Sequence, residues 1–217
     1  AKGWHSTATA THHSYSYSTA TATATATAQQ HSSSSRRRRR RCRRAMSGPL
    51  ALGYQLVFLN TTIHPLAVCN DGSSAAYYIH RGDPSRWVLH QQGGWWCWDD
   101  YSCLVRWNHF SNHSTELRTL MSTSALAELT KQHDTFNGEK NTGIMAHNGT
   151  VNPVASASKV FLVYCSSDSH AGNRTTHSEF APSGVWHFRG KEIVRAVLED
   201  LSAREQLQRA TQVLLTG

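Results

Sequence analysis

Apolar side chains along this chain gather in short runs separated by polar segments rich in glycine, asparagine and proline. Residues 50–59 (Leu-Ala-Leu-Gly-Tyr-Gln-Leu-Val-Phe-Leu) predict a first strand, and Cys69-Asn70-Asp71-Gly72-Ser73 predicts a turn. Residues 75–80 and 87–90 read as strands on either side of the turn Arg81-Gly82-Asp83-Pro84, which predicts a hairpin-like entry to a sheet. Leu117, Leu120, Met121, Leu126 and Leu129 predict a helix within residues 116–131, followed by a polar loop over 137–153. Residues 160–165 (Val-Phe-Leu-Val-Tyr-Cys) form a continuous β-rich run, the signature of a strand covered on both faces. Ile193, Val194, Val197, Leu198 and Leu201 fall on one stripe and predict a helix over 191–209, and residues 213–216 predict a further strand. Strand, loop, helix and strand at this spacing make a βαβ unit, and so an α/β chain with a mostly parallel sheet and flanking helices.

Composition divides the chain in two. Residues 1–45 are Ser, Thr, Ala, His and an arginine run, with little apolar area to offset chain entropy, and predict a disordered tail. Residues 46–217 carry the folded domain. Nine of the 22 basic side chains (Lys2, Arg36 to Arg41, Arg43 and Arg44) lie in the tail, leaving 13 against 14 acids in the body. The net charge of +8 is therefore a property of the tail. The arginine run reads either as an electrostatic contact for nucleic acid or anionic lipid, or as a translated repeat upstream of Met46. The body shows no interleaving of basic and aromatic residues, which disfavours a nucleic-acid partner. The basic run followed by residues 50–59 has the pattern of a signal peptide. No small-residue cleavage site follows, so no signal peptide is evident, and the apolar run is too short for a transmembrane segment.

The densest candidate chemistry is Gln91-Gln92-Gly93-Gly94-Trp95-Trp96-Cys97-Trp98, directly after the strand at 87–90. Glycines after a strand let backbone N–H groups approach a ligand and stabilise a developing oxyanion; the plainer reading is a tight turn with packed tryptophans. Of the body's cysteines, Cys97 and Cys103 suit a local disulfide and Cys69 and Cys165 a long one, with buried free thiols as the alternative. Four tripeptides offer glycosylation at Asn60, Asn112, Asn148 and Asn173, which with the cysteines favours a secreted, extracellular protein. None of the 14 histidines sits in a metal-binding spacing, so neither metal nor cofactor is expected.

The body also resembles the pectin acetylesterase and Notum family of serine hydrolases. The resemblance rests on ordered blocks: Leu56 to Thr62, Val68 to Ser73, Ala76-Tyr77-Tyr78, Trp87 to Cys97, Tyr164 to Asp168, Phe188-Arg189-Gly190 and Ala196 to Leu201. It implies an α/β-hydrolase fold, of which this chain is the N-terminal part. It also implies a Ser-Asp-His triad whose Gly-x-Ser-x-Gly elbow would begin at Gly217, so that the triad is not in this chain. It places the oxyanion donors on Gly93, Gly94 and Trp95, and an acyl-binding wall on Trp95 and Trp96. Asp168 is expected to fix its loop and His90 to pack, rather than to act as triad members. Departures from the family pattern include Gln92 in place of Glu, His170 in place of Trp, and an insertion over residues 63–67.

The expected function is therefore that of a fragment of a secreted serine carboxylesterase, acting on a lipidated protein or an acetylated polysaccharide and inactive as this chain alone. The alternative is a non-catalytic family member or a nucleic-acid binder working through its arginine tail.

Overall fold

The computed structural model describes residues 53–124, 126, 142–147 and 152–217. The readings for residues 1–45, for the start of the first strand, for Leu129 and for Asn148 lie outside them. The main sheet has five strands in the order β1-β2-β4-β3-β7. Here β1 is Gln55–Phe58, β2 Ala76–His80, β3 Asp83–Gln91, β4 Ala157–Leu162 and β7 Gln212–Thr216. The pairs β1/β2 and β2/β4 are antiparallel, whereas β3 runs parallel to both β4 and β7. Two further strands, β5 (Arg174–His177) and β6 (Val185–Phe188), form a separate antiparallel pair.

The hairpin expected between β2 and β3 does not form, because β4 lies between them. All six residues of β4 are buried, which suits the middle of a sheet rather than its rim. The connection steps across the start of β4 at Gly82, where a Cβ would sit 2.3 Å from the Ser156 carbonyl oxygen. Only a residue without a side chain fits that crossing.

Alternation along the strands divides the core into two layers. Tyr77, Ile79, Trp87, Leu89, Val160 and Leu162 face Ile193, Ala196, Val197 and Leu201 of helix α3 (Gly190–Glu205). Ala76, Tyr78, Val88 and Phe161 face the other way, onto Tyr54, Leu126 and Met145. Each fully buried aliphatic of α3 contributes about 1.5–3 kcal/mol. The helix stops at Gln206, which takes a left-handed conformation (φ 60°), and a short 3₁₀ turn, Leu207–Arg209, completes the expected span. Strand β7 lies at the sheet edge with Val213, Leu214 and Leu215 exposed.

One helix had no counterpart in the apolar pattern. Helix α1 (Asp100–His113) begins at a capping box: Asp99 accepts from the Ser102 N–H, and the Ser102 hydroxyl accepts from the Asp99 N–H. The helix expected within 116–131 is interrupted: the short α2 (Thr115–Arg118) gives way to turns over residues 119–124, with Leu126 again helical. Two disulfides lie within single clusters, Cys69–Cys165 in the core beneath α3 and Cys97–Cys103 at the entry to α1.

Lys159, on the buried strand β4, has no exposed surface. Its ammonium donates to the carbonyl oxygens of Val154, Ala155 and Ala157, closing the turn before the strand. Burial, aided by the charge of Arg86, pushes its pKa down to about 8. Between about pH 8 and the unfolded lysine value near 10.4 the unfolded chain binds more protons at this site, so stability rises with pH there. Above about pH 10 the buried hydroxyls of Tyr54, Tyr77 and Tyr78, all held above their ordinary range, reverse the slope, because unfolded tyrosines ionise first. Urea unfolding between pH 7 and 11 is expected to show a maximum, and Lys159→Met to remove the rising limb; an unchanged limb in that variant would rule Lys159 out as its source.

Candidate active-site loop

The loop that leaves β3 is organised by the body of the domain and not by its own turn. The Gln92 N–H completes the β4 ladder on the Leu162 carbonyl (3.1 Å), and its side-chain oxygen accepts from the Tyr164 N–H (3.0 Å). Where a carboxylate was expected, a neutral amide oxygen serves as the acceptor. The Gln92 carbonyl accepts from His170 Nε2 at 3.0 Å. Two residues on, the Gly94 carbonyl accepts from Arg106 Nη2 at 2.7 Å. The Cys97 N–H returns to the Ser167 carbonyl at 3.2 Å, and the Cys97–Cys103 disulfide then fastens the loop to α1.

Between these anchors, the N–H groups of Gly93, Gly94, Trp95 and Trp96 have no acceptor among the described residues. Successive N–H groups left free in this way form a local concentration of positive partial charge suited to an anionic oxygen. Gly94 adopts φ 153°, and a Cβ on it would approach Leu120 Cδ2 to 3.0 Å and Tyr164 Cδ1 to 3.2 Å, so glycine is demanded there. At Gly93 a Cβ would meet nothing within 4 Å, which leaves that side of the loop open. Trp95 takes φ 39°, and the side chains of Trp95, Trp96 and Trp98 are 85 %, 63 % and 73 % exposed. At those values the indoles stand in solvent and do not line a closed cavity.

Arg106 is buried and has no carboxylate partner among the described residues. Its Nε donates to Ser167 Oγ (2.9 Å), and its guanidinium lies 4.5 Å from the centre of the Phe110 ring. Burial lowers its pKa to about 10, while nearby Tyr164 favours the charged form, so it remains cationic at neutral pH. Ser167 Oγ in turn donates to Asn70 Oδ1 (2.6 Å), and Asn70 Nδ2 donates to the carbonyls of Ser166 and His187 (both 2.9 Å). Asn70, Arg106 and Ser167 were missed by sequence reasoning. The signal that could have found Arg106 was its spacing from Cys103 and Phe110, which puts all three on the inward face of α1.

The Asp168 carboxylate accepts from Ser166 Oγ (2.6 Å) and from the N–H groups of His170 (3.1 Å) and Gly190 (2.7 Å), which commits it to its loop and to the start of α3. His90 Nδ1 lies 2.8 Å from Thr216 Oγ1, with its ring stacked on Phe161. The Cys69–Cys165 bridge adjoins the site through Ser166 and Ser167, whereas Asn60, Asn112 and Asn173 are exposed. No group of three or more metal-ligating side chains occurs among the described residues, and none of their helices is long and apolar enough to cross a membrane.

Comparison with known proteins supplies the context for this loop. The pectinacetylesterase family model matches residues 50–217. The palmitoleoyl-protein carboxylesterase NOTUM of Drosophila melanogaster is 34 % identical over 144 residues, covering 65 % of this chain and 18 % of the relative. The palmitoleoyl-protein carboxylesterase notum2 of Xenopus laevis is 33 % identical over 166 residues, covering 75 % and 29 %. Pectin acetylesterase 7 of Arabidopsis thaliana is 27 % identical over 166 residues, covering 75 % and 37 %. The chain thus spans well under half the length of these relatives. Its mixed sheet with flanking helices is a partial α/β-hydrolase fold, and the chain belongs to the pectinacetylesterase family of carboxylic ester hydrolases.

Proposed function

We propose that this chain carries the oxyanion-stabilising half of a secreted serine carboxylesterase. The observation that supports it best is the run of four N–H groups from Gly93 to Trp96 without acceptors among the described residues, at the end of a buried parallel strand. In acyl transfer the carbonyl oxygen of an ester gains negative charge as a nucleophile adds. Each preorganised donor then lowers the barrier by roughly 3 kcal/mol. Gly93, Gly94 and Trp95 are assigned as donors, and Trp95 and Trp96 as the apolar flank beside which an acyl group lies. The names of the relatives offer two substrate classes, a palmitoleoylated protein and an acetylated pectin. Two disulfides and the exposed asparagines at 60, 112 and 173 fit an oxidising, extracellular setting.

The nucleophile is assigned outside residues 1–217, on the elbow that the family pattern starts at Gly217. The chain alone is therefore expected to resist labelling by a fluorophosphonate, and labelling would overturn that assignment. The loop is tested directly with methylphosphonate, a tetrahedral anion. In the isotope-labelled full chain, amide protons of Gly93 to Trp96 are expected to shift and saturate as it is added, while the amides of α3 stay in place. Absence of any response at these four amides would withdraw the oxyanion reading.

A further inference from the structure

The loop's free N–H groups raise a question of mechanics. A glycine-rich segment with exposed side chains has little reason of its own to hold them in one direction. A trans peptide is planar, so its C=O and the N–H that follows point to opposite sides. Whatever seizes the carbonyl therefore aims the next N–H. Two peptides of this loop are seized in this way, and by side chains from two different elements. His170, in the segment after β4, holds the Gln92 carbonyl at 3.0 Å, and Arg106 of α1 holds the Gly94 carbonyl at 2.7 Å. Their partner groups are the N–H of Gly93 and the N–H of Trp95.

We infer that Arg106 and His170 are positioning residues which turn the Gln92 and Gly94 carbonyls into the domain and so aim the N–H groups of Gly93 and Trp95 outward as the two principal anion donors. The inference rests on the oxyanion reading of this loop and deepens it, since it picks two of the candidate donors and says what holds them.

The environment of each gripping group fits the role. Arg106 spends its donors on neutral acceptors, namely the Gly94 and Leu120 carbonyls and Ser167 Oγ, and its face on Phe110. A buried guanidinium without a carboxylate is costly, and the outlay is understandable where the cation also reinforces a site for negative charge. Arg106 is itself fixed, since Ser167 Oγ is bound in turn to Asn70. His170 must carry its proton on Nε2, because a carbonyl can only accept. Its other nitrogen is buried without a partner among the described residues. The Asp168 carboxylate accepts the His170 N–H, and the ring packs on Tyr164 at 4.8 Å. Both grips are therefore braced from behind.

Residual dipolar couplings of backbone N–H vectors, measured on the aligned full chain without ligand, test this peptide by peptide. In Arg106→Met the Trp95 coupling is expected to fall toward zero while that of Gly93 is kept. In His170→Asn, whose short side chain tolerates the left-handed backbone at that position but does not reach Gln92, the pattern is reversed. A purely structural role would disturb both amides together. Arg106→Lys, which keeps one N–H donor, is expected to restore the Trp95 coupling and serves as the milder variant should the Met variant fail to fold. Both couplings surviving in every variant, or both moving together in each, would overturn the inference. Methylphosphonate titration separates this from the functional reading. Where the wild-type amides respond, Arg106→Met is expected to weaken binding about tenfold, or about 1.4 kcal/mol. Where they do not, the oxyanion reading falls and the couplings still decide the positioning.

Discussion

Replacing Cys69 and Cys165 together by alanine is expected to cost this chain about 4–5 kcal/mol, a large share of the roughly 5–15 kcal/mol an ordinary domain possesses. The bridge joins residues 96 apart in sequence, and in the chain-entropy account a loop of that length restricts the unfolded state far more than a short one does. Both sulfurs are fully buried within the core beneath α3, so alanine is the right replacement, because serine would add a buried hydroxyl. The Cys97–Cys103 bridge spans only 6 residues, and its loss is expected to cost roughly half as much. Urea unfolding of the two double variants checks the ranking. A rise in the denaturant dependence for the long-bridge variant is expected as well, since an unfolded chain freed of that link exposes more surface. Equal losses for the two bridges, or a greater loss for the short one, would show that unfolded-state restriction does not govern their contribution.

The elements that sequence reasoning placed well share a property, which is that their apolar pattern is local. The stripe of α3 and the β-rich run at 160–165 are each legible within a few turns or residues. Ile193, Val197 and Leu201 are buried while Val194 is half-buried and Leu198 exposed, and the run is buried throughout although its strand β4 is shifted to Ala157–Leu162. The order of the strands is not local. Nothing in residues 75–90 announces that β4, some 70 positions later, inserts between β2 and β3; only the tight crossing at Gly82 betrays it. Helix α1 escaped for a different reason. One of its three buried side chains is Arg106, which any hydrophobic pattern scores as outward-facing. The glycine pair and tryptophans of the loop were legible as a feature, but what orients them was not, because its grips run from side chains to backbone carbonyls and leave no residue-pair signature. His170 and Gln92, departures from the family pattern in sequence, supply ordinary local chemistry in the structure. One is a ring N–H donor, the kind of group an indole also offers, and the other a neutral acceptor where a carboxylate was expected.

Asp168→Ala is expected to lose about 3 kcal/mol and to lower the melting temperature by roughly 6–12 °C. Its carboxylate joins three pieces of chain: the Ser166 hydroxyl behind it, the His170 N–H ahead, and the Gly190 N–H at the first turn of α3. The last of these matters because Arg189, the residue before the helix, makes no capping bond with its own side chain, so the cap comes from the loop. A negative charge at a helix start is also favoured by the helix dipole. The backbone is fitted closely around this group. A Cβ on Gly172 would lie 2.4 Å from Asp168 Oδ2, and one on Gly190 would lie 2.3 Å from Oδ1, so the carboxylate occupies space that two glycines leave for it. Alanine at 168 would leave two backbone N–H groups unpaired and a void between those glycines. Asp168→Asn keeps the shape and one acceptor oxygen but turns an NH₂ toward a donor, and is expected to cost most of the same amount. The two variants separate the charge from the geometry: near-equal losses assign the effect to the hydrogen-bonded carboxylate, whereas a nearly wild-type Asn variant would assign it to packing. Because the His170 backbone is held by this carboxylate, both variants are also expected to loosen the grip on the Gln92 carbonyl and to speed amide exchange in the first turn of α3 while sparing the end near Leu201. A melting temperature within about 2 °C of wild type for Asp168→Ala would show that the loop and the helix start hold together without it.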